Sequence, residues 1–461
     1  MLTVTPSWTR RRTLRTLAGI AGLPIFSSGH PPLRKVGIVG AGIAGISLAW
    51  LLDGQRDVVV IEARDSIGGN VQTVPVEVDG ENFVVDMGAQ YFNPGPYPTY
   101  EKLLNYLGIT ADSHSFPASI TQFAPGEPAP RFVSPVLPAR GWPLLAPWNW
   151  AGIQAFAVAF SAAKKREEAD ANWLLSLESW LSSLGLSQAE WEGMILPWVA
   201  SLYSGDVNEA RGLSARAAMV FAAKALPANP LDPVLYYVLN SGLIEVLEGM
   251  LAQCATVQVL TGSPVTRIFR DLQGGFDIRY GAGQTLHVDD LVFACSGPPT
   301  QSLLPGITGT AVLRSVLQGI EFRSDRLALH TDPLYVPANQ NLWSFFNCQV
   351  HGNFAEASMW LRDVLAVPPP ATAAKVWKSW VTHRTSQPAQ ILHTAHYQHM
   401  LPTTGSVFAQ ALLRPLQGVG GISIAGGYTR PYDSQETALL SALDVAKLYG
   451  IDSARVRALL S

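Results

Sequence analysis

The stretch RKVGIVGAGIAGISLAWLLDGQRDVVVIEARDSIGGN runs from Arg34 to Asn70. Val36-Gly37-Ile38-Val39 is a short apolar run suited to a strand buried on both faces. Gly40, Gly42 and Gly45 then form G-x-G-x-x-G, and Ile46, Leu48, Ala49, Leu51 and Leu52 continue at helical spacing. Val58 to Ile61 reads as a second strand, closed by Glu62. In such a unit Gly40 permits a tight turn, and Gly42 lets a pyrophosphate approach the backbone. Gly45 lets the helix pack closely on the strand, and the helix N-terminus faces the phosphate charge. An acid about 20 residues on accepts hydrogen bonds from an adenosine ribose. A glycine-rich turn in an ordinary α/β core would leave Glu62 unexplained, so the stretch is read as dinucleotide-binding.

Two further segments choose the dinucleotide. Arg64 and the pair Gly68-Gly69, followed by Asn70, come just after the ribose-binding strand. A nicotinamide fold has no need of that pair, whereas a cofactor that continues past its pyrophosphate does. Far downstream, GGISIAGGYTRPYDSQETALLSALDVAKLYG (from Gly420) predicts a strand over Ile422–Ile424, a turn at Gly426-Gly427 and a helix opening near Gln435–Thr437. Backbone N–H groups at that helix start suit the pyrimidine edge of a flavin, which carries negative charge when reduced. Taken alone the segment is a strand–loop–helix; together with the first motif it points to FAD.

These motifs, with Asp86-Met87-Gly88-Ala89 and Ala425-Gly426-Gly427…Glu436-Thr437-Ala438…Ser441, resemble the flavin-containing amine oxidase and phytoene desaturase superfamily. The likeness spans about Arg34 to Leu448. VDMGAQYFNPGPYPTYEKLLNYLGI, FRSDRLALHTDPLYVP and HYQHMLP also resemble bacterial FAD-dependent proteins associated with cyclopropane fatty-acid synthases. The resemblance implies an α/β fold: a Rossmann-like FAD-binding domain of the amine oxidase type, interleaved with a mixed α+β substrate domain. It implies cofactor contacts at Gly40, Gly42, Ala44, Gly45, Glu62, Ala63, Arg64, Gly68, Gly69, Asn70, Gly88, Ala89, Gln90, Val265, Gly426, Gly427, Glu436, Thr437 and Ala438, with Val265 at the adenine and Gly88–Gln90 near the isoalloxazine. The chain departs from the family pattern in three places. R-x-G-G-R ends in Asn70. GIEFRSDRLALH, comparable to the strand on which amine oxidases hold a lysine near flavin N5, offers Arg323 and Arg326 but no lysine. No cysteine follows Cys348, so FAD is expected to be held non-covalently.

The remaining composition narrows the classes. The chain has 461 residues, enough for two domains, with 15% charged and 48% apolar residues and a net charge of −3. That balance gives no electrostatic case for nucleic acid. No apolar run is long enough for a permanent membrane span. Cys254, Cys295 and Cys348 lack metal spacing and are too sparse for a disulfide framework. Thr9 to Arg15 approximates a twin-arginine pattern, followed by a short apolar stretch from Leu17 to Phe26, with no acidic residue before Asp53. This predicts Tat export to the periplasm or beyond, with a signal segment over 1–30. A disordered basic tail on a cytoplasmic protein is the alternative.

The FAD-binding domain is expected over 34–95, 240–300 and 402–461, and the substrate domain over 96–239 and 301–401. The first insert reads as mainly helical. ITGTAVLRSVLQGIEFRSDRLALH and the segment from Asn341 are expected to add strands that floor the pocket. Flavin chemistry asks little of the protein beyond placing substrate and excluding water, so an apolar pocket with few titratable groups is expected. Tyr428, Tyr397, His399 and Tyr91 are the candidate catalytic residues. His393, His396 and His399 recur at spacing three but lack an acidic partner, so no metal site is assigned. The expected substrate is a small or lipophilic molecule giving hydride from a C–N or C–C bond; the electron acceptor is open. A desaturase or isomerase acting on an acyl or isoprenoid chain is the alternative, and a non-catalytic FAD-binding protein the third reading.

Overall fold

The computed structural model describes residues 33–203, 205–229, 232–365 and 371–461. The twin-arginine-like segment lies outside the described residues. Residues Arg34–Ser461 form one compact unit. The unit opens with β1 (Lys35–Val39), α1 (Ile43–Leu52) and β2 (Asp57–Ile61). After a hairpin of Thr73–Val78 and Glu81–Asp86 come α2 (Pro98–Leu107), β3 (Ile120–Phe123), α3 (Trp150–Glu168) and α4 (Ala215–Ala225). Then follow α5 (Ile244–Ala252), β4 (Gln258–Leu260) and β5 (Asp290–Phe293). β6 (Glu321–His330), β7 (Phe346–His351), β8 (Phe354–Trp360), β9 (Trp377–Trp380) and β10 (Ile391–Leu401) come next. β11 (Ile422–Ile424) and α6 (Gln435–Leu448) lead into the last turns of the chain.

Two sheets organise the molecule. The first is parallel, in the order β4-β2-β1-β5-β11. Its strands are short and apolar because helices and a second layer cover both faces. All ten residues of α1 are buried, which explains why that helix is apolar all round rather than on one stripe. It packs against α6 through a cluster that includes Leu48, Leu52, Leu439, Ala442 and Leu443. An antiparallel three-stranded sheet over Val265–Arg270, Phe276–Tyr280 and Gln284–Val288 closes the other face through Ile268, Ile278 and Val288.

The second sheet is eight-stranded and mixed, in the order β10-β6-β9-β8-β7-β3 with Phe132–Val133 at its edge, and Gly205–Asp206 pairs with β8. Residues two apart on one strand share a face, so register decides what this sheet presents. Arg323, Asp325, Leu327 and Leu329 of β6 stand opposite His399, Tyr397, Ala395 and His393 of β10. Leu327 and Leu329 also pair with Trp380 and Lys378 of β9. One expectation is corrected here: Ala311–Gln318 is a helix, not a strand. Leu313 and Leu317, four residues apart, are its buried side, which is helical rather than alternating spacing.

Candidate functional site

The glycine motifs meet as backbone. Gly40 has φ +111°, and a Cβ there would lie 2.8 Å from the main chain of Ala294 and Cys295, where β5 passes the turn. A Cβ on Gly45 would lie 2.0 Å from the Gly40 carbonyl oxygen. Both positions therefore need glycine for the turn to close. Gly42 bridges to Gly68, and the Gly68 N–H donates to the Ala41 carbonyl at 2.9 Å. The first-turn N–H groups of α1 have no partner inside the helix, and glycine backbone on both sides leaves them reachable. Ala44 is buried behind them.

Glu62 joins the same turn. Its Oε2 accepts from the Ala41 N–H at 2.8 Å, and its Oε1 accepts from the Arg64 N–H at 2.9 Å. A carboxylate has about four acceptor positions, so capacity for ribose hydroxyls remains. Arg64 Nη1 donates to the Gly69 carbonyl at 2.8 Å, tying the second glycine pair to the first strand pair. Ala63 and Asn70 are exposed. Gly262 and Ser263 donate to the carbonyls of Arg64 and Glu62, which draws the start of the Val265 strand to this end of the site.

The chain then passes from cradle to sheet. The Ala89 N–H donates to the Asn70 carbonyl at 3.0 Å, and a Cβ on Gly88 would lie 2.9 Å from the Tyr397 ring. The Tyr397 hydroxyl donates to Gln72 Oε1 at 2.8 Å. Tyr91 contacts Met359 Sδ through its hydroxyl and stands edge-on to Phe116, Tyr236 and Phe345. His399 lies edge-on to Trp380, and burial, followed by Arg323, pushes its imidazole down to about 4. Gln90 is buried, and its Oε1 accepts from Lys378 Nζ.

Lys378 is the main residue that the sequence reading passed over. It is 1% exposed, donates to the Asp86 carbonyl at 2.7 Å, and lies 5.5 Å from the Tyr91 ring centroid. Burial pushes its ammonium down to about 7, a shift that the Asp86 carboxylate opposes. Asp86 itself is raised by burial, against hydrogen bonds from the Thr73 hydroxyl and the Leu243 N–H. The strand compared with the lysine-bearing strand of amine oxidases does lack a lysine; the neighbouring strand carries one. A single charge in the aromatic run Trp377-Lys378-Ser379-Trp380 was the available signal. Asp325, 1% exposed beside Arg323 and across from Tyr397, was also passed over, and burial pushes it up to about 7.

At the C-terminal motif, the Gly426 N–H donates to Ser441 Oγ at 2.8 Å, and Ser434 and Thr437 form a capping box that opens α6. Ala438 follows in its first turn, half-buried. Gly427 faces Asp433, whose Oδ1 lies 1.8 Å from where a Cβ would stand. Both oxygens of Glu436 accept from the N–H groups of Thr99 and Tyr100, so this side chain holds the start of α2. The Tyr428 ring folds over Gly426 and against Phe322 and is 4% exposed, which places it in the core packing. His393 and His396 lie along β10 on opposite faces, so the three-residue spacing does not gather a ligand set.

Several titratable side chains around these motifs are shifted by burial. Tyr91, Tyr203, Tyr236, Cys295 and His399 keep accessible surface, and Asp433 is exposed, yet protein encloses each so completely that its ionisation is shifted by burial. Cys295 lies beside Gly40, and Asp433 lies beside Gly427. The glycine cradle, with the acceptor capacity of Glu62 beside it, fits a dinucleotide.

Comparison with known proteins points to a flavin cofactor. The profile described as flavin containing amine oxidoreductase matches residues 43–322, more than half of the chain. The chain belongs to that family. It is an FAD-dependent oxidoreductase with the FAD-binding amine oxidase fold. A fatty acid isomerase from P. acnes that produces CLA superposes with a TM-score of 0.64 at 14% identity, covering 90% of this chain and 98% of that one. Cyclohexylamine oxidase from Brevibacterium oxydans IH-35A gives 0.59 at 15% identity, covering 91% and 100%. At such identities these likenesses speak to fold alone. Tryptophan 2-monooxygenase from Pseudomonas savastanoi is 38% identical over 98 residues, a match spanning 21% of this chain and 17% of that protein.

Proposed function

We propose that the chain holds FAD non-covalently in the glycine cradle and takes hydride from a C–N or C–C bond of a small or lipophilic substrate seated against Tyr91, Tyr397 and Lys378. The observation that carries this reading is the Asp86–Tyr91 segment. It is bonded to Asn70 on the cofactor side and to Lys378 and Met359 on the side of the second sheet, where the Tyr397 ring packs against Gly88. On this reading 34–95, 240–300 and 402–461 bind FAD, and 96–239 with 301–401 shapes the substrate side. When bound, FAD supplies the hydride acceptor.

The protein's own residues do the rest. The helix starts of α1 and α6 offer N–H groups to negative charge. The aromatic surround of Tyr91 keeps water away from a bound substrate. Lys378 fixes Gln90 and the Asp86 carbonyl, and its depressed ammonium lets it hold or release a proton near neutral pH. An amine substrate is the first reading. The apolar box of Phe116, Tyr236 and Phe345 around Tyr91 supports acyl-chain isomerisation or desaturation as the second. Anaerobic mixing of the holoprotein with primary and secondary amines, and separately with unsaturated fatty acids, tests both. Bleaching of the flavin by amines alone supports the first reading; turnover of the fatty acid without net bleaching replaces it with the second.

A further inference from the structure

Residues 142–150 hold five large apolar side chains out in solvent: Trp142 (38% exposed), Leu144 (40%), Leu145 (81%), Trp148 (41%) and Trp150 (57%). Among the described residues, most other exposed apolar side chains stand singly or in pairs such as Phe408 and Leu412, which is ordinary; five within nine residues are not. The cluster is also firmly built. Two short turns, Trp142–Leu145 and Pro147–Asn149, lead into α3. Their base is bolted by the buried Asn149, which accepts from the Val133 N–H and donates to the carbonyls of Val133 and Pro143. Arg140 ties the approach to Trp343 and Ser344, and Trp150 Nε1 donates to the Leu144 carbonyl at 2.9 Å. These contacts hold the apolar residues outward.

Charge selects the occupant. From residue 128 to 166 the chain carries no aspartate or glutamate, and the cation beside the cluster is Arg140, 5.8 Å from the Trp142 ring centroid; Arg131 is paired with Glu127, and Lys164, Lys165 and Arg166 stand at the far end of α3. Tryptophan and leucine beside an arginine, in a stretch that carries no acid, match the interface of an anionic bilayer, where indole rings settle at headgroup depth and cations meet lipid phosphate. We propose that this protrusion seats the protein on an anionic lipid surface, without spanning it. Among the described residues no helix is long and apolar enough to cross a membrane.

Co-sedimentation of the full-length holoprotein with phosphatidylcholine vesicles, with and without phosphatidylglycerol, tests the proposal. The wild type is expected to bind the phosphatidylglycerol vesicles and to release in high salt. Combining Trp142→Ser, Leu145→Ser and Trp150→Ser should lower partitioning by about tenfold or more, with flavin absorbance and melting temperature retained. Leu272→Ser, at an isolated exposed site, should change nothing. If the triple variant is destabilised, Leu145→Glu alone, at the most exposed of the five positions, replaces it. Unchanged binding in these variants would place the attraction elsewhere on the chain and would overturn the proposal. Absence of vesicle binding, with a dimer that the variants dissociate, would assign the face to a second copy and overturn it equally.

Discussion

The cradle around Gly40 and the sheet face around Lys378 bind their neighbours by opposite means. In the cradle most contacts are main-chain: N–H groups, carbonyls and glycines pressed within van der Waals limits, with Glu62, itself held by two N–H groups, and Arg64, on the Gly69 carbonyl, as the side chains. On the sheet face the contacts are side-chain: Lys378 on Gln90, Tyr397 on Gln72, Tyr91 on Met359. Backbone donors have a fixed position and no titration, which suits a constant group such as a pyrophosphate. Side chains can be exchanged singly and can titrate, which suits a substrate and its proton. The difference teaches where variation is tolerated: a change in the cradle disturbs the fold, while one on the sheet face should disturb chemistry first.

Gly40→Ala tests the cradle most severely. Its φ of +111° and the 2.8 Å approach to Ala294 leave no room for a methyl group, so a loss of about 3 kcal/mol is expected, together with loss of bound FAD. Thermal unfolding and flavin absorbance report both; a variant that retains FAD and its melting temperature would break the comparison. Glu62→Ala removes an acceptor from two N–H groups as well as from the ribose. FAD affinity, measured by titrating apoprotein, should fall by about 2 kcal/mol, roughly thirtyfold, with a smaller loss of stability. Equal affinity would detach Glu62 from the cofactor.

Lys378→Met should do the reverse: FAD retained, but flavin reduction by substrate slowed by about 10²-fold. A pH measurement sharpens this. The folded ammonium is depressed from 10.5 to about 7, so between those values the unfolded chain binds the proton that the folded chain has released. Stability contributed by this site therefore rises with pH across that window. The difference in melting temperature between wild type and Lys378→Met should shift in the wild type's favour from pH 7 toward pH 10. A pH-independent difference would mean that Lys378 keeps its charge throughout.

The same contrast explains what could be read from the chain alone. Gly40, Gly42, Gly45, Glu62 and the Gly68-Gly69 pair lie within thirty consecutive residues, because a turn between strand and helix is local, and so its purpose is legible. Lys378 acquires meaning only when β9 lies beside β6 and reaches a segment 292 residues earlier. No spacing rule encodes that register. The expected lysine was sought on β6, one strand away from where the sheet supplies it. Tyr428 and Glu436 show the converse. They sit inside a legible motif, but packing against Phe322 and capping of α2 are tertiary uses that the motif does not announce.

The claim on which the rest depends is that FAD lies in this cradle, held by hydrogen bonds and burial. Acid precipitation of the purified protein, with mass spectrometry of supernatant and pellet, tests it directly. The cradle predicts intact FAD in the supernatant and an unmodified colourless polypeptide in the pellet. Flavin still attached to the pellet, or a purified protein that carries no flavin and binds none when FAD is added, would contradict it.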